Sequence, residues 1–432
     1  GPRRTGRWGS TTAAQEEARD DGRADASKID ATPQDEVPYQ SRLHNWLEAS
    51  WPAPEERARV DRCVRELEAL IRSGLPDGAR WRVAAFGSAV NGFGTRGSDL
   101  DVVAYHDNAQ GDDGNNPATL RKLKKIILQG TSFTFKTMIL SARVPVLKLN
   151  YNKQLHVDVT VNNTGPLQNT RLLRAYSSLS PRVIELCVAV KLWAKSKNLW
   201  GAPNGHLSSY GFIMLAIYFM QVDPNLKLPC LQCGGALDPD FQEEYSAMDN
   251  ARVAKESCHH LGDDSAVLLQ SFFDFYASAF KWGTEVVSIR LGRRQNIESA
   301  ELAGLKKGEE ERLHIEDPFI RQRNLCDVMA AKNEVSLREA FTDASKALAA
   351  GQPGGVVPAL PRASGAAGKG RRRGPHGPRV DQYSSKGASS HQQGWSGRGS
   401  GGVSSRGRGK GGGPGVSKGY GKAGAVSHPQ WQ

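Results

Sequence analysis

Long apolar runs are missing from this 432-residue chain. The longest, Phe212–Met220, has nine residues, about half of the roughly 18–20 that a membrane-spanning helix needs. That excludes an integral helical membrane protein, and the run reads as the middle of a buried helix. Cysteine is also scarce, with six in all: Cys63, Cys187, Cys230, Cys233, Cys258 and Cys326. So few in so long a chain do not make the dense disulfide framework of a small secreted domain. A reducing, intracellular setting fits better, the cytoplasm first, with nucleus and organelle left open. Acids are nearly absent from the last stretch. Residues 351–432 hold 13 Lys and Arg against the single Asp381, together with 23 of the 47 glycines. The whole chain carries +12, so the preceding 350 residues, with 44 charges of each sign, are neutral. A neutral body with a cationic, glycine-rich tail points to a tail that meets a polyanion.

Residues 1–40 have almost no large aliphatic side chains and are expected to be disordered. The chain opens on Gly-Pro rather than Met, which leaves open whether the natural start is present. Arg3, Arg4 and Arg7, ahead of any acid, suit such a leader better than the remnant of a transit peptide. Apolar spacing predicts a helix over Pro54–Ser73 and strands over Trp81–Phe86 and Asp99–Tyr105, with a Gly/Ser turn and a short helix-compatible stretch between the strands. A polar loop and a basic amphipathic helix, Thr119–Gln129, follow. Strands are expected at Phe133–Leu140, Val144–Tyr151 and Leu155–Val161, the last two as a hairpin. From Asn169 to about Ala349 the pattern is mainly helical, in the segments Pro181–Lys197, Leu207–Gln221, Ser265–Phe280 and Leu337–Ala349. There is no internal repeat.

The chemistry concentrates between Phe86 and Val103. Gly87-Ser88 directly after a strand lets the backbone approach an anion, and a helix starting there would turn free N–H groups towards a phosphate. Asp99 and Asp101 are two apart on a strand, so both carboxylates leave one face. Two such acids repel each other and are costly to desolvate. A divalent cation removes that cost, and oxygen-only ligation favours Mg²⁺ or Mn²⁺. The strictly alternating Leu155–Val161 puts Asp158 on the polar face of a further strand, which an adjacent position in the sheet would bring alongside the other two. Three carboxylates and a phosphate turn are the kit for two-metal phosphoryl transfer.

These motifs resemble the DNA-polymerase-β-like nucleotidyltransferase superfamily. Within it, the chain is similar to the RNA-specific terminal nucleotidyltransferases, the cytoplasmic-type poly(A) polymerases and terminal uridylyltransferases. The likeness runs from about Leu43 to Ala349. It rests on the Gly-Ser…Asp-x-Asp pattern, Asp158-Val-Thr-Val-Asn-Asn163, Asn169-Thr170-Arg171, Val190-Lys191-Leu-Trp-Ala-Lys195, Leu207-Ser-Ser-Tyr-Gly211, Leu228-Pro-Cys-Leu-Gln232, Phe272-Phe-Asp-Phe-Tyr276 and Ile315-Glu-Asp-Pro-Phe319. The resemblance implies an α+β fold. A polymerase-β-like catalytic domain, a mixed sheet with helices, would occupy 41–163, its first helix (about 54–73) packing on the central domain. A mainly helical PAP-associated domain would occupy 164–350, between a disordered leader (1–40) and a disordered basic tail (351–432).

It also implies roles. Asp99 and Asp101 would hold two metal ions, and Asp158 the one that activates the RNA 3′-hydroxyl for attack on the NTP α-phosphate. Gly87, Ser88, Lys191, Lys195 and Ser209 would meet the triphosphate, Tyr210 would underlie the base, and Asn163, Asn169 and Thr170 would lie near the ribose. Asp317 and Arg323 belong to the base-selecting loop. There the family's Glu is replaced by Ile320, and the uridylyltransferase His by Arg323, which carries donors only. ATP, UTP or mixed use stay open. The expected partners are an NTP and the 3′ end of an mRNA or small RNA, with the tail on RNA, no membrane and a monomeric protein. An inactive RNA-binding relative and a primer-independent, oligoadenylate synthase-like enzyme are the alternatives. Cys230, Cys233, Cys258 and His260 have the ligand types for zinc, at an unremarkable spacing.

Overall fold

The computed structural model describes residues 38–108, 117–232, 264–306 and 312–358. Residues 1–37 of the expected leader, nearly all of the tail, and Cys233, Cys258 and His260 lie outside them, whereas Tyr39 and Gln40, expected in the leader, begin a helix.

Five strands form one mixed sheet: β1 (Trp81–Phe86), β2 (Leu100–His106), β3 (Phe133–Ile139), β4 (Val146–Tyr151) and β5 (Leu155–Val161), in the spatial order β1-β2-β5-β4-β3. β2 and β5 run parallel, while the other pairs, including the expected β4–β5 hairpin, are antiparallel. Alternation sorts the faces. Leu100, Val102, Leu147, Leu149, Val157 and Val159 turn to one side and are buried under Cys63, Leu67 and Ile71 of helix α2 (Pro54–Gly74) and Leu120, Leu123 and Ile127 of α3 (Pro117–Ile127). The expectation that α2 packs on the central domain is therefore wrong. Its apolar stripe closes the back of the sheet, whose own apolar face needs that cover.

A second core lies among helices. It is built by α1 (Tyr39–Ser50), α4 (Gly165–Leu179), α5 (Pro181–Ser196), α6 (Ser209–Val222), α7 (Ser265–Asp274, continued by a wider turn over Phe275–Ala279) and α8 (Ala331–Ala349). Side-chain oxygens of Ser180, Ser208 and Asp264 accept the N–H groups of Arg182, Gly211 and Ala266 and so start α5, α6 and α7. The Phe212–Met220 run is buried throughout. Phe341 stacks between Trp193 and Tyr276, at centroid distances of 5.3 and 5.2 Å. α8 starts six residues before the expected Leu337, because Glu334 is buried against Arg312 and the Leu313 N–H. Two boundaries shift. α1, expected in the catalytic domain, gives Leu43, Trp46 and Leu47 to the helical core, and the chain stays packed past residue 350, with Val356 and Val357 buried. Short strands β6 (Val286–Val287) and β7 (His314–Ile315) pair in parallel beside this core. Among the described residues, no helix is long and apolar enough to cross a membrane.

Candidate active site

Register brings the carboxylates together. Asp101 on β2 is the direct partner of Asp158 on β5, and Asp158 is in turn the partner of Lys148 on β4. Three neighbouring strands therefore present Asp101, Asp158 and Lys148 side by side on the open face. Asp99, just ahead of β2, is more exposed. Burial, with the Asp158 and Asp99 carboxylates, raises the Asp101 carboxyl from 3.8 to about 7, against the opposing pull of Lys148.

The turn after β1 abuts this cluster. Gly87 has φ of +72°, and a Cβ there would stand 2.9 Å from Asp101 Oδ2. Only glycine offers both the conformation and the space. The Gly87 N–H donates to Thr170 Oγ1 at 2.9 Å, and that hydroxyl donates to the Pro166 carbonyl at 2.8 Å. Thr170, expected near the ribose, thus anchors the turn to α4. The expected short helix is a single 3₁₀ turn, Gly87–Ala89, too short to carry a helix dipole. Ser88 lines a cavity of about 670 Å³ with Arg57, Arg174 and Glu185, not the cleft that gathers the base-site candidates.

The two lysines of α5 part company. Lys195 lies near Asp99, whose charge acts on it, though partial burial lowers its pKa overall. Lys191 is only 2% exposed and donates to the Phe93 carbonyl at 2.5 Å. Burial and Lys195 lower it to about 7. In this structure it holds the loop after the Gly-Ser turn. Residues four apart share a side of a helix but not a depth, and α5 is buried almost all round.

A cleft of about 640 Å³ gathers Asn163, Asn169, Asp317, Ile320 and Arg323, and adds Arg143. The Asn169 Oδ1 and the Tyr210 hydroxyl are buried without a hydrogen-bond partner among the described residues. Ser209 and Tyr210 open α6. Burial, with the Asp317 charge, raises the Tyr210 phenol well above its ordinary value. Asp317 is fully buried. Its Oδ1 accepts from the N–H groups of Phe319 (3.0 Å) and Ile320 (3.1 Å), and its Oδ2 from Arg323 Nη1 (3.3 Å).

Among the described residues, no three His, Cys, Asp or Glu side chains already form a metal cage, and Lys148 is ion-paired with Asp158. The donor chemistry still fits a hard divalent cation: oxygen-only carboxylates, one of them held protonated towards neutrality by burial and by its neighbours' charge. Of the four zinc candidates only Cys230 is described, with its Sγ 3.1 Å from the Arg290 carbonyl oxygen. Lys148 was missed in the sequence. So were Arg143 and the anchoring role of Thr170. Leu147, Leu149 and Tyr151 alternate with Lys148 and Asn150, a signal that places the lysine on the polar face once the hairpin is known.

The family model for the central palm domain of mitochondrial-like poly(A) RNA polymerases matches residues 40–178, and that for Cid1 family poly A polymerases matches 266–323. The poly(A) RNA polymerase gld-2 of Caenorhabditis elegans is 33% identical over 226 residues, 50% of this chain and 20% of the relative. GLD2 of Danio rerio is 27% identical over 300 residues (68% and 59%). Terminal uridylyltransferase 7 of Homo sapiens is 29% identical over 297 residues (66% and 19%). The chain thus spans less than two thirds of the length of these relatives. Its fold is that of the Cid1 poly(U) polymerase with Mg and 3′-dATP bound (TM-score 0.61, 23% identity, 72% of this chain and 94% of that one). A cytoplasmic RNA terminal U-transferase matches equally well (TM-score 0.60, 22% identity, 72% and 93%).

Proposed function

The chain belongs to the RNA-specific terminal nucleotidyltransferases, the poly(A) polymerases and terminal uridylyltransferases, and from that membership we propose that it adds AMP, UMP or both to RNA 3′ ends without a template. The observation that carries this reading is the direct pairing of Asp101 with Asp158 beside the Gly87 turn. Asp99, Asp101 and Asp158 would hold two Mg²⁺ or Mn²⁺ ions, which supply charge neutralisation at the attacking and leaving oxygens. The protein's own part is placement. Gly87 lets the backbone come close to a phosphate, Thr170 fixes that turn, and Lys195 offers a cation to the triphosphate. Lys148 offsets the Asp158 charge. Tyr210 gives the base a stacking surface, which every base can use. The unpartnered Asn169 Oδ1 is an acceptor suited to a sugar hydroxyl. We read it further as a cytoplasmic monomer acting on mRNA or small RNA.

Incubating a short RNA with each NTP separately, with Mg²⁺ or Mn²⁺, tests the reading. Extended products without a template are expected with ATP, UTP or both. No extension with any NTP and either metal would refute it.

The basic tail is assigned to RNA. Because Val356 and Val357 belong to the core, a truncation must begin at Ala359, which still removes all 13 cations of the tail and Asp381. RNA affinity should then fall and its salt dependence flatten, since fewer counterions are released. Addition at saturating RNA should persist. An unchanged salt slope would leave the tail as a linker only.

A further inference from the structure

Trp200 is 42% exposed, yet the loop that presents it is firmly braced. The Leu199 N–H donates to the Ala194 carbonyl (2.9 Å), that of Gly201 to Leu207 (3.0 Å) and that of His206 back to Gly201 (3.2 Å). Asn333 Nδ2 and the Ala330 N–H both donate to the Gly205 carbonyl, at 2.7 and 2.9 Å. Gly201 and Gly205 take positive φ, +107° and +69°, which gives the loop its tight path. It joins the end of α5, with Lys195, to the start of α6, with Ser209 and Tyr210. An indole fixed here with much of its surface in water gains little from burial. The Lys195 ammonium lies 4.9 Å from the ring centroid.

Lysine has a long, flexible stem and loses much rotamer freedom when its ammonium is held in one place. A cation over an indole face is attracted by the ring quadrupole. Lys195 also feels the negative charge of Asp99. The ring limits where the ammonium can go before any phosphate arrives.

We propose that Trp200 is a positioning residue for NTP binding, its ring confining the Lys195 ammonium so that the cation is already placed for the triphosphate. The inference rests on the assignment of Lys195 to the triphosphate. It commits the ring face to the lysine rather than to a stacked RNA base.

Steady-state RNA tailing by the full chain, varying NTP and RNA in turn, tests it with Trp200→Leu and Trp200→Phe. An exposed cation–π contact corresponds to about a two- to fivefold change in affinity. Trp200→Leu should raise the NTP KM by about that factor, with kcat and the RNA KM nearly unchanged, and Trp200→Phe, which keeps an aromatic face, should recover most of the loss. In a Lys195→Ala background, Trp200→Leu should add no further penalty. An unchanged NTP KM in Trp200→Leu, a rise confined to the RNA KM, or an equal penalty without Lys195 overturns the inference. An unchanged NTP KM in Lys195→Ala alone overturns the phosphate assignment of Lys195, and this inference with it.

Discussion

Asp101→Asn is expected to lower template-free nucleotide addition by about three orders of magnitude or more, while making the metal-free protein more heat-stable above pH 7. Both effects have one origin. Burial, with the Asp158 and Asp99 charges, holds Asp101 protonated up to about pH 7, against 3.8 for an ordinary aspartate. Between those values the folded chain keeps a proton that the unfolded chain has released. Asp101 therefore contributes stability below about pH 4, and that contribution is lost as pH rises through about 7. Asparagine is neutral throughout and has nearly the same shape, so it removes the buried charge and its repulsion without opening a cavity. At pH 8, without divalent ions, the variant should melt roughly 2–5 °C above the parent, and at pH 4 the two should coincide. Lys191, lowered to about 7, titrates in the same window but does so in both proteins, so the difference isolates Asp101. Near-normal extension by Asp101→Asn at saturating Mg²⁺ or Mn²⁺ would refute the carboxylate assignment. Equal melting curves at pH 8 would refute the account of its charge.

The sheet was largely legible because a period of two is visible in a short strand. Leu155–Val161 alternates, and the structure places β5 over those residues, with Val157 and Val159 buried and Asp158 on the open face. The position of Asp158 opposite Asp101 was not legible, since register and strand order are set by long-range pairing. Lys148 was overlooked for the same reason: it matters through its cross-strand neighbour, not through its own segment. The helices were legible as faces but not as partners. The stripe of α2 announces that something covers it, and only the fold says that this is the sheet. Lys191 and Lys195 look equivalent on a helical wheel, but one ends on a backbone carbonyl and the other near a carboxylate. α1 has no side-chain cap and no acid in its first turn, so little in its sequence marks the start. The tail boundary was drawn from glycine and charge, and composition cannot see two valines that reach back into a core.

The loop expected to select the base carries the second large effect. The Asp317 carboxylate closes the loop by accepting two backbone N–H groups, and its other oxygen holds Arg323, whose side chain is still 48% exposed. The Arg323 backbone completes the ring: its N–H donates to the Ile320 carbonyl at 2.8 Å and its carbonyl accepts from the Asp317 N–H at 3.1 Å. Asp317→Ala removes the acceptor from two N–H groups and frees the guanidinium, a cost of about 3 kcal/mol in stability. It should also raise the NTP KM, because the loop lines the cleft beside Asn163 and Asn169. Arg323 can be changed without that damage. Its guanidinium is only a donor, can turn to solvent, and lies at the rim of the cleft, so discrimination between bases should be modest. A neutral imidazole at this position can donate to uracil O4, where adenine presents an amino group that cannot accept. Arg323→His should therefore shift incorporation towards UTP by about five- to tenfold, and Arg323→Ala should lower pyrimidine use. Competition between ATP and UTP in one reaction reads both shifts directly. Unchanged incorporation ratios in both variants would place Arg323 outside the base site and leave Asp317 as a brace for the loop alone.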